Sequence, residues 1–408
     1  MGMTHEASRQ LRYVQQVLSQ NRKPIGFFIG AGCPLAVRIN CRHEDGEDGK
    51  EISDPLIPDV AALTKCISEE LRKKEGGPDG AWEKLIEICE TDELDTSNIE
   101  VILTQVRALR MVAGKGDVRG LSATELEALD ANICRIILKE VDKSLPDINS
   151  IYHNLAFWAR SIEREYPVHL FTTNYDLLIE QALEESAAPF FDGFVGSRRA
   201  FFDLGAVENE HVLPPRWTRL WKMHGSINWR QDSDGNVVRV NASDSNESYL
   251  IYPSHLKYGQ SRKMPYLAMS DRLKDFLLKP SAVLFISGYS FGDEHINDVL
   301  CRTLESNSSA IAFAFLHGPL DEKYALAKEC ALKTPNLSMF SRDKAVIGRS
   351  EGEWRCQSDG HIDLPSGLIE IETDDQTEDL KSCSVGIGDF RIFSELLNEV
   401  AGRSIEDE

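Results

Sequence analysis

The feature that most constrains the fold lies in the last third of the chain, where apolar runs of strand length alternate with stretches of helical periodicity at residues 282–287, 294–304, 310–316 and 321–332. Two strands separated by a helix cannot close a hairpin, so they lie parallel and are joined by right-handed crossovers. Residues 336–340 read as a further strand. The expected class is α/β, with a parallel sheet covered on both faces.

Upstream, residues 6–18 place Leu11, Val14, Val17 and Leu18 at helical spacing, and residues 24–29 read as a buried strand ended by Gly30-Ala31-Gly32. A second strand candidate, 168–173, runs directly into a helix carrying Leu177, Leu178, Gln181 and Leu183, and a third spans 220–225. Residues 228–240 read as a hairpin turning at Asp234-Gly235. From Asp59 to about Leu145, apolar positions such as Val60, Leu63, Ile67, Leu71, Ile99, Leu103, Val106 and Leu109 describe four or five helices without a convincing strand. Residues 341–352 read as a structural loop, 349–382 as polar, irregular and acidic, and 388–400 as an amphipathic helix. The expected architecture is a Rossmann-like doubly wound parallel sheet with a helical insertion or cap and a small β-hairpin element. Its expected division is 1–58 for the first strand and its loop, 59–150 for the insertion, 151–318 for the rest of the core, and 319–408 for a C-terminal α/β extension.

Composition narrows the function. The 408 residues are 42% hydrophobic, enough for a large core, and no run of eighteen apolar residues or signal-like N-terminus is present, so a cytoplasmic protein is expected. Nine cysteines without a Cys-x-x-Cys pair argue against a zinc ribbon and against a disulfide framework. A net charge of −21 repels phosphate backbones, so direct nucleic-acid binding is not expected. The acidic stretch 43–54 reads as a solvated loop, with a mobile lid as the alternative; His43, Glu44, Asp45 and Asp48 lack the spacing of a ligand set, and no metal is expected.

Four motifs fall at predicted strand ends. Gly30-Ala31-Gly32-Cys33 follows the first strand, where a doubly wound sheet brings backbone amides to a dinucleotide pyrophosphate. The full Gly-x-Gly-x-x-Gly spacing is broken by Leu35, so a plain tight turn is an equal reading. Thr172-Thr173-Asn174-Tyr175-Asp176, Trp221-Lys222-Met223-His224-Gly225-Ser226 and Gly288-Tyr289-Ser290-Phe291-Gly292-Asp293 supply polar groups to the same crevice. Structural roles compete for each. Asn174, Asp176 and Asp293 are natural helix caps, and His224 could be a satisfied buried histidine.

In their order, these motifs resemble the sirtuin-like NAD-hydrolase domains of bacterial antiviral defence, over about residues 24–316. The resemblance implies NAD as substrate and cleavage of its nicotinamide glycosidic bond. It implies Asn174 and His224 beside the nicotinamide ribose and Asp176 beside the carboxamide as catalytic residues. It further implies Gly30, Ala31, Gly32, Cys33, Asp59, Thr173, Gly288, Tyr289 and Ser290 as cofactor-binding residues. Pro58-Asp59 is similar to the Pro-Asp of the sirtuin cofactor loop, although Val60-Ala61 replaces the expected Phe-Arg. The zinc-holding cysteine pairs of protein-deacetylating sirtuins are missing from the sequence, so deacetylation is not the expected reaction. The resemblance also implies a homo-oligomer gated by infection, with a HerA-type ATPase as partner. The rival reading is a subunit that binds NAD or ADP-ribose without turning it over.

Overall fold

The computed structural model describes residues 3–43, 51–75, 80–146, 149–161, 163–232, 234, 236–240, 249–251, 265–356, 364–373 and 380–402. Its centre is a ten-stranded sheet. In chain order the strands are β1 (Thr4–Glu6), β2 (Ile25–Ile29), β3 (His169–Thr172), β4 (Phe190–Phe191), β5 (Thr218–Lys222), β6 (Val283–Ser287), β7 (Ile311–Phe315), β8 (Leu337–Phe340), β9 (Lys344–Ile347) and β10 (Ser350–Arg355). Across the sheet they run β1-β10-β9-β8-β7-β6-β2-β3-β5-β4. The seven from β8 to β4 are all parallel. From β2 the chain passes to β3 on one side and later returns to β6 on the other, so the topological switch point lies between β2 and β6. This is the doubly wound α/β fold expected from the alternation of elements.

Both faces of the sheet are buried, and the two-residue period of each strand sorts its side chains between them. Phe27, Phe285, Phe313 and Phe315 point into one core, shared with helices Ala7–Leu18, Ile151–Ser161 and Phe390–Val400. Phe28, Leu284, Ile286, Ala312 and Ala314 point into the other, covered by helices Tyr266–Leu278, Glu294–Ser306 and Ala325–Lys333. The expected insertion forms four helices, Val60–Glu75, Ala81–Thr91, Ile99–Ala113 and Ala123–Val141, packed on the first core. The last of these starts at a capping box of Ser122 and Glu125.

Several expectations need correction. Residues 341–352 are not a loop: β9 extends the sheet antiparallel to β8, β10 follows antiparallel to β9, and β1 closes the edge parallel to β10. The irregular reading of 349–382 fails where strands Ser350–Arg355, Ile369–Thr373 and Leu380–Val385 cross it, while 357–363 and 374–379 lie outside the described residues. In β10 only Gly352 and Trp354 are buried, between exposed Glu353 and Arg355, so charge masks the strand. Ile369–Thr373 and Leu380–Val385 form a hairpin. The ends of the supposed acidic loop belong to a ladder between Arg38–His43 and Glu51–Pro55. Glu44, Asp45 and Asp48, and with them the lid reading, lie outside the described residues. The hairpin near Asp234 is present between Gly225–Gln231 and Val237–Arg239, but it belongs to a five-stranded sheet; Gly235 lies outside the described residues. Cys356 and Cys383 are joined in a disulfide across 27 residues, a pairing made by the hairpin packing against β10 that spacing alone does not reveal.

Candidate active site

Parallel register aligns the carboxyl ends of four neighbouring strands: Ser287 of β6 pairs with Ile29 of β2, Ile29 with Thr172 of β3, and Thr172 with Lys222 of β5. The four motifs predicted at strand ends therefore emerge side by side at the switch point, where open α/β sheets bind ligands.

Hydrogen bonds close these four loops into a ring. Gly30 and Gly32 donate their amides to the Ser287 and Gly288 carbonyls at 2.9 and 2.8 Å, and the Cys33 amide donates to the Gly30 carbonyl at 3.1 Å. The glycines serve this contact. A Cβ on Gly30 would collide with the Gly288 backbone, and one on Gly288, whose φ is +66°, would lie 2.5 Å from the Cys33 nitrogen. Three amides of the first loop are thus spent on the neighbouring loop or on their own turn, leaving Ala31 exposed at the tip.

Asn174 joins the ring from β3. The Thr172 hydroxyl donates to the Ile29 carbonyl at 2.7 Å and accepts the Asn174 amide at 2.9 Å. The Asn174 side chain, buried to 7% exposure, donates Nδ2 to the Gly30 carbonyl at 3.1 Å. Its Oδ1 is buried and has no hydrogen-bond partner in the protein. An unsatisfied acceptor of this kind costs about 1–3 kcal/mol, and a donor on a ligand or a water removes that cost.

His224 follows β5. The Met223 amide donates to Thr172 and the Ile227 amide to Tyr175, at 2.8 and 2.9 Å, so the histidine turn is tied to the Asn174 loop on both sides. Gly225, at φ +88°, makes the reversal. The His224 ring is half-buried, and its Nε2 lies 3.1 Å from Asp293 Oδ2, which completes the ring of loops.

Asp176 is buried, and its Oδ1 accepts the amide of Leu178, the first residue of the following helix, at 3.0 Å, while the N-cap position itself is Leu177. Burial pushes its carboxyl above the usual range, opposed by the nearby Lys222 ammonium. Lys222 itself is buried, bonding to the Asp176 carbonyl and, at 2.7 Å, to Glu180 Oε1.

The remaining predicted residues divide by environment. Ser290 is exposed beside Ala31's loop, and Thr173 is half-buried. Tyr289 turns inward: its hydroxyl donates to Asn297 Oδ1 at 2.9 Å and its ring packs on Phe28 and Phe291. The Cys33 thiol is fully buried, which pushes it up to about 12. Asp59 is exposed and caps the helix Val60–Glu75 through the Ala62 amide at 2.7 Å, and the hydrogen bonds described above that close the ring of loops do not involve it. Phe291, buried at φ +59°, is held in a backbone region that a bulky residue rarely adopts, two residues before the one that meets His224. Sequence reasoning missed the structural part played by Thr172 and gave Asp293 only a cap.

Among the described residues, no group of three or more His, Cys, Asp or Glu side chains could hold a metal ion, and no helix is long and apolar enough to cross a membrane.

Residues 168–338 match the family model of the SIR2-like domain, a span that includes Asn174, Asp176, His224, Gly288 and Asp293 but not the Gly30 loop. No curated protein matches the chain. Among solved structures, a Sir2 homologue in complex with NAD is similar over 80% of this chain and 94% of that one, at 13% identity and a TM-score of 0.33. A structure of Sir2 enzymes addressing their mechanism and regulation covers 78% and 89%, at 12% identity and 0.35. A Sir2 homologue mutant in complex with ADP-ribose covers 78% and 94%, at 12% identity and 0.33.

Proposed function

We propose that this chain binds NAD at the switch point and cleaves the bond between nicotinamide and ribose, releasing nicotinamide and ADP-ribose or a cyclised product. The observation that carries the reading is the pairing of Asn174 and His224 on adjoining, mutually bonded loops. One presents a buried acceptor with no protein partner, and the other presents an imidazole oriented by a carboxylate. The match of residues 168–338 to the SIR2-like domain supports the same substrate class.

Glycosidic cleavage of this kind passes through a cationic, oxocarbenium-like sugar, so the site must hold the sugar, steady the leaving group and admit a nucleophile. Asn174 Oδ1 accepts from a ribose hydroxyl or from the attacking water, and satisfying that atom is itself favourable. His224 takes the proton from the nucleophile as general base. Asp176 steadies the carboxamide side while its Oδ1 keeps the helix start in place. Ala31 and Ser290, exposed at the tips of the two locked loops, meet the pyrophosphate and the adenosine ribose. No step needs a metal.

An NAD-consuming enzyme left active would drain its own cell. The resemblance to antiviral defence domains therefore extends the proposal to a gated effector that depletes NAD during phage infection, working as a homo-oligomer with a HerA-type ATPase.

The test is nicotinamide release from NAD by the full chain, alone and with a candidate ring-forming ATPase, followed by chromatography. Asn174→Ala and His224→Ala variants with unchanged circular dichroism are expected to lose release by about 100-fold or more. Variants as active as the parent would refute the assignment. Saturable NAD binding without release under either condition would instead favour the non-catalytic NAD-binding subunit.

A further inference from the structure

Asp293 divides its two carboxylate oxygens between unrelated tasks. Oδ1 accepts the backbone amides of His295 and Ile296, at 3.0 and 3.3 Å, and so caps the helix Glu294–Ser306. Oδ2 lies 3.1 Å from His224 Nε2, 69 residues away in the chain. Both side chains are largely withdrawn from water, at 14% exposure for His224 and 9% for Asp293.

The chemistry of the pair fixes more than the ring angle. An ionised carboxylate can only accept, and its charge is favoured at the N-terminus of a helix. His224 Nε2 must therefore carry the hydrogen, and in the neutral ring the lone pair is confined to Nδ1. We propose that Asp293 is a positioning residue that holds His224 in the Nε2–H tautomer and makes Nδ1 the basic atom of the site. The catalytic half of this proposal rests on the NAD-cleavage reading; the tautomer half stands without it.

An asparagine at position 293 separates the two tasks. Asparagine caps helices as well as aspartate does, and the amides of His295 and Ile296 still require an oxygen. Its Oδ1 stays with the helix, so its NH2 group faces His224 and Nε2 must become the acceptor. The tautomer inverts and Nδ1 loses its lone pair. Asp293→Ser gives a second probe, because serine also caps but its hydroxyl is too short to serve both partners.

The experiment uses the full chain labelled with 15N-histidine, with the His224 signals identified among the ten histidines by a His224→Gln variant. Long-range proton–nitrogen spectra are expected to report Nε2–H in the parent and Nδ1–H in Asp293→Asn. With NAD, kcat for nicotinamide release should fall about 100-fold or more in Asp293→Asn, while KM shifts by no more than about threefold. Asp293→Ser should show a mixture of tautomers and an intermediate kcat. The same tautomer in parent and Asp293→Asn, or an unchanged kcat in the folded variant, overturns the proposal. A parent that releases no nicotinamide, either alone or with the ring-forming ATPase, sinks the NAD-cleavage reading, and the spectra alone then decide whether Asp293 holds the ring.

Discussion

Thr172 sets the geometry of the site without being a candidate for its chemistry, because its hydroxyl spans the Ile29 carbonyl and the Asn174 amide and so fixes where Asn174 leaves the strand. The positions of Asn174 and His224 just past strand ends are legible in the sequence because each comes within a few residues of an apolar stretch of strand length. The contact of His224 with Asp293 is not, since nothing local to either residue encodes a partner 69 positions away. The cysteines illustrate the same dependence on environment. Cys33 sits in a motif that would suit a reactive group, yet its burial pushes the thiol up to about 12. Cys301, half-buried on the helix that Asp293 caps, is lowered by a hydrogen bond from Cys330. Only thiolates alkylate readily. Iodoacetamide near neutral pH should therefore modify Cys301 well before Cys33, as read by peptide mass spectrometry, and Cys33 should react only after unfolding. Rapid labelling of Cys33 in the folded chain would mean that the locked loops open freely.

At the scale of elements, the contact between the Gly30 and Gly288 loops should dominate the cost of substitution. Gly288 combines a positive φ of +66° with backbone at contact distance, whereas Gly348 has a similar φ of +55° and nothing within 4 Å of the point where a Cβ would sit. An alanine at 348 should cost about 1–2 kcal/mol, the penalty of the left-handed backbone alone. At 288 the collision with Cys33 adds about 1–3 kcal/mol. Urea unfolding of Gly288→Ala and Gly348→Ala measures the difference, and equal losses would show that the loops yield easily. The parallel strands around these loops were readable from their uninterrupted apolar runs. The antiparallel β9 and β10 were not, because Lys344 opens the one and Glu351, Glu353 and Arg355 alternate with the buried residues of the other, and such charges imitate a loop. Tyr266–Leu278 escaped notice too, although Met269, Leu273, Phe276 and Leu277 line its buried side.

For the molecule as a whole, the net charge of −21 is a source of self-repulsion that dissolved salt weakens. Raising ionic strength from about 0.01 M to about 0.15 M shortens the Debye length from about 30 Å to about 8 Å. The melting temperature should rise over that range. A fall would show that the ion pairs on the surface outweigh the repulsion. The class of fold was legible at this scale because alternating strands and helices leave few topologies open, whereas the joining of the last strands to the central sheet depends on contacts that no local pattern announces. The lock between the loops after Ile29 and Ser287 bears on ancestry as well. Its two halves stand far apart in the chain, so a recombination event anywhere between them would unite halves with separate histories. Relatives that survive such an exchange should carry matched changes at 30, 32, 33 and 288, inherited as one unit despite the distance that divides them.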